Sequence, residues 1–378
     1  MTVTIELGFI DDGVETFTDI SEFFQNYSIR RGKSRELERY QTGQASVQFE
    51  NNTRAFDPTF EASPYFGQIV PKRSLRITNG TAVQFVGIVE DWNISYEPGG
   101  QSIAVCQAFD AFSLLGGINF ADVSFTEELT SERVEAVLDE INWDESRRDI
   151  QGSGATLSAA TVLDDTNTLE YLNKVAQSDP GDIFISRDGD VAFRGRNLGF
   201  TSESLVFTDA GTAIPYQTIS AIYGSELLYN NVTVSSEGVG TVVAQASDSI
   251  EIYGERDEEV ETFLSSIDQV QDLADYLVNR YGEPEFRFDG LTINLNSLSS
   301  EDRGKVLAIE LAEPVLVQFT PNNISPAIQR YAKVIGVEQN VNPQDQKLTL
   351  RLQSTQGSLF ILDDTVFGRL DEDNLLGW

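Results

Sequence analysis

One pattern occurs twice in this chain, and it restricts the fold more than any other feature. In the first copy, Leu75-Arg-Ile77 leads through Phe85-Val-Gly-Ile-Val-Glu90 and Asn93-Ile94 to a glycine-rich turn and the strand Ser102-Ile-Ala-Val-Cys106. In the second, Val315-Leu-Val-Gln-Phe319 leads through Lys333-Val-Ile-Gly-Val-Glu338 and Asn340-Val341 to the turn Asn342-Pro-Gln-Asp345 and the strand Lys347-Leu-Thr-Leu-Arg351. Each copy reads as a strand, a glycine-marked strand, a turn and an alternating strand, because side chains of a strand point to opposite faces in turn and the breaks carry turn residues. Either the chain holds a duplicated sheet unit, or two meanders share a short common pattern.

Period-two runs surround both copies. Residues 2–9, 26–31, 44–50, 74–79, 84–96 and 101–110 alternate between breaks of Gly, Pro and Asn, which predicts one antiparallel barrel or sandwich over residues 1–115. The turn Tyr96-Glu-Pro-Gly-Gly-Gln101 makes its last two strands a hairpin. The period then changes. Ser131 can cap a helix carrying Val134, Val137, Leu138 and Ile141, and a second helix is predicted over 165–177 with Leu169, Leu172 and Ala176 on one face. The turn Arg187-Asp-Gly-Asp190 joins a further hairpin, so residues 116–203 form an α+β unit. The same turn lacks the later acidic ligands of a calcium loop. A second, discontinuous barrel is predicted over 204–236 and 284–360, with strands near 204–208, 219–223, 231–235, 285–298, 314–319, 330–341 and 347–353. Between its parts, residues 237–283 hold an amphipathic helix capped by Ser266, with Val270, Leu273, Ala274, Leu277 and Tyr281 as its apolar stripe and Gly282 and Pro284 as its stop.

Composition excludes whole classes of function. The 378 residues are too many for one core, and 40% hydrophobic content with 23 Phe and 12 Tyr supplies several packed interiors. No histidine occurs, which removes the commonest general base, the Ser-His and Cys-His nucleophile pairs and nearly every catalytic zinc site. With 60 Asp and Glu, paired acids such as Asp164-Asp165 arise by chance and read as solvated surface; the chain is expected to be no enzyme and to carry no cofactor or metal. Gly99-Gly100 and Gly116-Gly117 lack the helix start and lysine of a phosphate cradle. The formal charge of −34 repels phosphate backbones and anionic membranes. That acidity fits a solvated assembly surface, a wall along which DNA slides, or a saline environment. Cys106, the only cysteine, lies in an apolar run and is expected to be a buried core thiol. No signal-like segment opens the sequence and no long apolar run crosses it, so neither export nor membrane insertion is expected.

Two segments stand out as assembly candidates. Arg30, Arg31, Lys33 and Arg35, extended by Arg39, form the chain's one positive island. It suits carboxylates of a neighbouring subunit or passing DNA, and a solvated loop equally. The last stretch, residues 361–378, mixes acids with Phe367, Leu370, Leu375, Leu376 and Trp378, apolar groups that should dock either on the chain itself or on another subunit.

The stretch from Tyr27 to Pro58, followed by Ser63-Pro-Tyr65, resembles the opening of minor tail proteins of long-tailed actinobacterial and related phages. It holds Arg31-Gly-Lys-Ser-Arg-Glu-Leu37, Gly43-Gln-Ala45 and Asn51-Asn-Thr-Arg-Ala-Phe-Asp-Pro58, and the ending Leu362-Asp-Asp-Thr-Val-Phe-Gly-Arg-Leu-Asp371 is similar to that family's C-terminus. The chain departs from the family in its heavy negative charge and missing histidine, which bear on host and environment. The resemblance implies a mainly β tail hub: two tube-like antiparallel β-barrels related by duplication, with smaller α+β domains. It also implies a homotrimer whose six barrels form a pseudo-hexameric ring at the virion tail tip, assembled in the host cytoplasm, closed by head-to-tail contacts. Its neighbours would be the tail tube or distal tail protein above and tip, fibre or tape-measure proteins below, with DNA passing through unread. Exposed strand edges would continue the tube sheet around an acidic channel, with the alternating polar positions of 84–96 and 330–341 as ring contacts. A distal tail or baseplate ring protein is the near alternative, and a carbohydrate-binding or wall-degrading tail protein the distant one.

Overall fold

Thirteen strands pair into one sheet, and its two halves repeat the same plan. The structure, a computed structural model, describes residues 3–196, 204–211, 213–354, 358–359 and 374–375. The strands of the sheet are, in chain order, β1 (Val3–Asp11), β2 (Val14–Asp19), β3 (Phe24–Gly32), β4 (Gln41–Glu50), β5 (Ser74–Asn79), β6 (Ala82–Ser95), β7 (Ile103–Phe109), β8 (Leu205–Thr208), β9 (Thr218–Tyr223), β10 (Phe286–Asn294), β11 (Pro314–Phe319), β12 (Ile328–Val341) and β13 (Gln346–Ser354). In the first half the order is β3-β4-β7-β6-β5, and in the second it is β9-β10-β13-β12-β11, antiparallel throughout. The glycine-marked strands β6 and β12 are equivalent in this plan, and each is 14 residues long. The halves differ at the sixth strand: β1 runs antiparallel to β5, whereas β8 runs parallel to β11.

The halves are not separate barrels. Strand β3 pairs along Tyr27–Gly32 with Gly336–Val341 of β12, so the sheet continues across the boundary, and no closed barrel forms among the described residues. Alternation in a sequence reports which face a side chain takes, not which strand lies beside it, and this pairing was invisible for that reason. A further strand, β2, escaped the pattern because nearly all its residues are exposed.

Two cores lie behind the sheet. The first gathers Ile5 and Leu7 of β1 with Val47, Phe49, Leu75, Phe85 and Cys106, so strands far apart in sheet order share one interior. Phe56 closes it, stacked on Phe49 at 4.6 Å and on Trp92 at 5.5 Å. The Cys106 thiol is fully buried, and desolvation pushes its pKa far above the usual range. The second core joins the second half-sheet to the helices. Helix α1 (Thr130–Glu140) starts two residues earlier than a Ser131 cap would place it: Glu132 accepts the Leu129 N–H, and Ser131 instead donates to the Ser153 carbonyl. Helix α2 (Thr168–Gln177) is capped by Asn167. Helix α3 (Ile267–Tyr281) has the expected Ser266 cap and buries Val270, Leu273, Ala274, Leu277 and Tyr281.

The hairpin of Asp182–Ile185 and Val191–Arg194 forms as expected, with the Arg187–Asp190 turn closed by the Ser186 hydroxyl accepting the Asp190 N–H. Asn231–Ser236, assigned to the second barrel by its alternation, instead forms a small sheet with Gly240–Gln245 and Asp257–Thr262, under α3. Backbone bonds from Ser158 to Phe263 and from Ser265 to Thr156 tie this unit to the α+β unit.

Candidate assembly surface

The basic island is a junction rather than a free patch. Gly32 takes a positive φ, and a Cβ there would lie 2.3 Å from the Ile335 carbonyl oxygen, so glycine is required where β3 meets β12. This tight approach turns Arg31 and Lys33 inward. Arg31 is buried against Glu310, whose second oxygen accepts the Arg187 N–H at 2.7 Å. Lys33 and Lys333 flank Asp182 at 3.8 and 2.6 Å. Burial alone would raise the Asp182 carboxyl, but the two ammonium groups hold it below its ordinary value. Burial pushes Lys33 down to about 8, only partly offset because Asp182 is shared.

Glu36 continues the junction, pairing with Arg280 at 3.3 Å and Arg287 at 4.0 Å, while Glu285 holds the same two arginines. The outer members of the island are exposed: Arg35 pairs with Glu226, Arg39 with Glu170, and Arg30 bonds the Ser34 hydroxyl. Arg31, Lys33 and Glu36 thus hold three parts of one chain together.

A second junction is uncharged except at one point. Tyr27, Asn79 and Gln84 of the first half meet Gln339, Gln346 and Arg303 of the second in a buried network, with Tyr27 donating to Gln339 at 2.9 Å and Gln339 to Gln84 at 2.6 Å. Arg303 comes from helix α4 (Ser300–Leu307). Gln84 and Gln339, polar positions expected on the ring surface, therefore bind each other inside the chain. Strands β6 and β12 each have strands of this chain on both sides.

The remaining motif residues seal the first core. Asn51 accepts the Phe56 N–H at 3.0 Å, Asp57 holds Arg54 and Thr59, and the Ser63 hydroxyl donates to the Ala55 carbonyl. Gly43 donates its N–H to Asp110 at 2.7 Å, and a Cβ there would sit 2.4 Å from that oxygen. Desolvation pushes the Asp110 carboxyl up to about 7. Folding therefore favours its protonated form. The stability this contributes is complete below the unfolded carboxyl pKa of about 4 and is lost as pH rises through 7. Asp110→Asn is expected to flatten the fall of unfolding free energy between pH 5 and 7 by up to about 1.4 kcal/mol per pH unit, read from urea titrations across that range. An unchanged slope contradicts this assignment.

Along its main path of eleven strands the sheet is open at both ends, while the branch strand β8 is bridged by Ile214. No described strand pairs with the outer side of β2 or of β9. Both ends expose large apolar side chains: Ile10, Val14 (63% exposed) and Phe17 at one, Ile222, Tyr223 (68%) and Phe286 at the other. Strand β9 carries no charge at all. Phe367, Leu370, Leu376 and Trp378 lie outside the described residues. Leu375 is described only by its backbone, which pairs in parallel with Leu359. Among the described residues, no group of three or more acidic or cysteine side chains is arranged to hold a metal ion, and no helix is long and apolar enough to cross a membrane.

No protein-family model matches the sequence, and no curated protein sequence matches it. Solved structures do match the fold. A tail protein from Neisseria meningitidis MC58 superposes with a TM-score of 0.65 at 11% identity, covering 94% of this chain and 98% of its own. The 43 kDa tail protein of prophage MuSo2 from Shewanella oneidensis gives 0.60 at 11%, covering 93% and 98%. The Escherichia coli c3393 protein gives 0.51 at 9%, covering 88% and 73%; it is described as a component of the type VI secretion system with structural similarity to the T4 bacteriophage tail proteins gp27 and gp5. The chain has the fold of phage tail proteins over most of its length.

Proposed function

We propose that this chain is a structural, non-enzymatic subunit of a phage tail tip, the hub that joins the tail tube or distal ring to tip or fibre proteins and lines the DNA exit. Three copies form a ring in which six half-sheets act as tube-like units, so a three-fold object presents six-fold spacing to the tube. Residues 1–115 and the segments 204–236 and 284–360 supply the two tube-like units, less the small-sheet strand Asn231–Ser236. The units of 116–203 and 237–283 decorate them, and 361–378 docks on a neighbour or on the chain itself.

The observation that carries this reading is the repeated five-strand order, with the edge strand β3 of the first copy paired to the part of β12 that lies beyond β11 in the second. The likeness to tail proteins of two prophage or bacterial sources supports it. The test is the native mass of the purified chain. Three copies of 41.8 kDa give about 125 kDa. A sixfold mass favours a distal ring, and a monomer at assembly concentrations sinks the hub.

A further inference from the structure

The large sheet has one covered face and one bare one. Leu291, Leu350, Val337, Ile29, Ala45 and Ala108 face the cores, where the second core joins the sheet to the helices, and the Gly189 turn of the α+β unit approaches the opposite face at Val86 of β6, beyond β4 and β7. On that opposite face, strand register places Thr218, Thr292, Thr349, Glu338, Arg30 and Gln44 side by side across six successive strands. The next row includes Asn340, Ser28 and Ser46. None of these side chains is buried. A trough of about 320 Å³ sinks into this face where the two halves meet, so the bare surface is concave at the seam.

Charge on this face is cancelled locally. Arg351 lies between Gly290 and Gly336 in register, and reaches Glu338 and Asp289 at 3.2 Å each. Arg30 stands opposite Glu338. Two acids and two bases alternate across four strands, and their neighbours are mostly Ser, Thr, Asn and Gln, with Lys347 beside Asn340 paired to Asp345 and Phe109 beside Gln44. A chain with 34 excess negative charges has kept that excess off this surface.

Resting on the ring reading above, we propose that this bare face is the channel wall, and that duplex DNA passes along short neutral polar side chains rather than along a field of acids. A ring joined through sheet edges must turn one face inward, and the side carrying the helices is too bulky to be that face. Neutral hydroxyls and amides hold water, and Arg30 and Arg351 already stand against Glu338 and Asp289, so phosphates displace few counterions and DNA is not arrested. The excess acids then belong to the outside of the ring, as a solvated coat.

The test adds charge where the wall is bare. Ser28, Gln44 and Asn340 are all exposed, so the triple variant Ser28→Lys, Gln44→Lys, Asn340→Lys should fold and gives each ring nine added cations. Native mass is measured first on the unsubstituted chain. A monomer there removes the ring itself, and this inference with it. Given the ring, the variant should retain linear duplex DNA at least ~10-fold more tightly than the unsubstituted ring, with steep loss in salt. Sealed circular DNA of the same sequence cannot thread a closed ring and should show no such gain. Equal gains for linear and circular DNA would place the face outside, and no gain for either would equally overturn the proposal. Asn340→Lys alone, with three added cations per ring, should shift linear retention in the same direction by less.

Discussion

Replacing Glu36 with alanine is expected to lower the free energy of unfolding by about 3–5 kcal/mol, because it strips a buried carboxylate from between two buried arginines. Glu36, Arg280 and Arg287 have side chains no more than 8% exposed, and the variant would leave Glu285 holding both cations without its companion carboxylate. The guanidiniums cannot easily turn to water: both lie over the Tyr281 ring, at 5.3 and 5.5 Å. Glu36 belongs to the loop between β3 and β4, while Arg280 ends α3 and Arg287 begins β10. The pair therefore couples the first half-sheet to the inserted helix and to the second half. Urea denaturation followed by circular dichroism measures the loss. Glu226→Ala is the reference, since its pair with Arg35 is more than half exposed and should cost less than about 1 kcal/mol. Equal effects for the two variants would mean that the junction does not hold the chain together as described.

That junction also marks where sequence reading stops. The positive island was visible as composition, but composition cannot say that Gly32 brings β3 so close to β12 that Arg31 and Lys33 must turn inward. Its acidic partners Asp182, Glu310 and Glu226 are distant in sequence and lost among 60 carboxylates. Helix α3 was legible nearly to the residue because its cap, stripe and stop are local signals. The duplication was legible for the same reason: its glycine-marked strands and turns lie within 40 residues of each other in each copy. Strand Asn231–Ser236 was misassigned because alternation is identical in any half-buried sheet. The Gly43 and Asn51–Pro58 motifs were legible as motifs only. Their roles, making room for Asp110 and fixing Phe56 over the first core, need coordinates.

Lysine at either open end of the sheet is expected to abolish the ring while leaving the protomer folded. An antiparallel strand with a free side is a template for another strand, and proteins that must stay monomeric blunt such edges with charge, proline or cover. Here the blunting is weak at one end and missing at the other: β2 carries only Glu15 and Asp19, and β9 is Thr-Ile-Ser-Ala-Ile-Tyr with no charge. Exposed Val14 and Tyr223 touch little of their own chain, so Val14→Lys and Tyr223→Lys should each leave the far-ultraviolet spectrum and the unfolding midpoint of the protomer within normal variation. The two ends are unlike surfaces, which is the requirement for a head-to-tail contact that repeats around a ring. Burying one lysine in that contact leaves an unpaired cation against apolar side chains. The native mass should fall from about 125 kDa to the 41.8 kDa of a single chain in each variant. If the ends meet each other, joining Val14→Lys with Tyr223→Glu in one chain should recover a measurable share of the threefold species. Variants that keep the full mass would show that the copies join through some other surface.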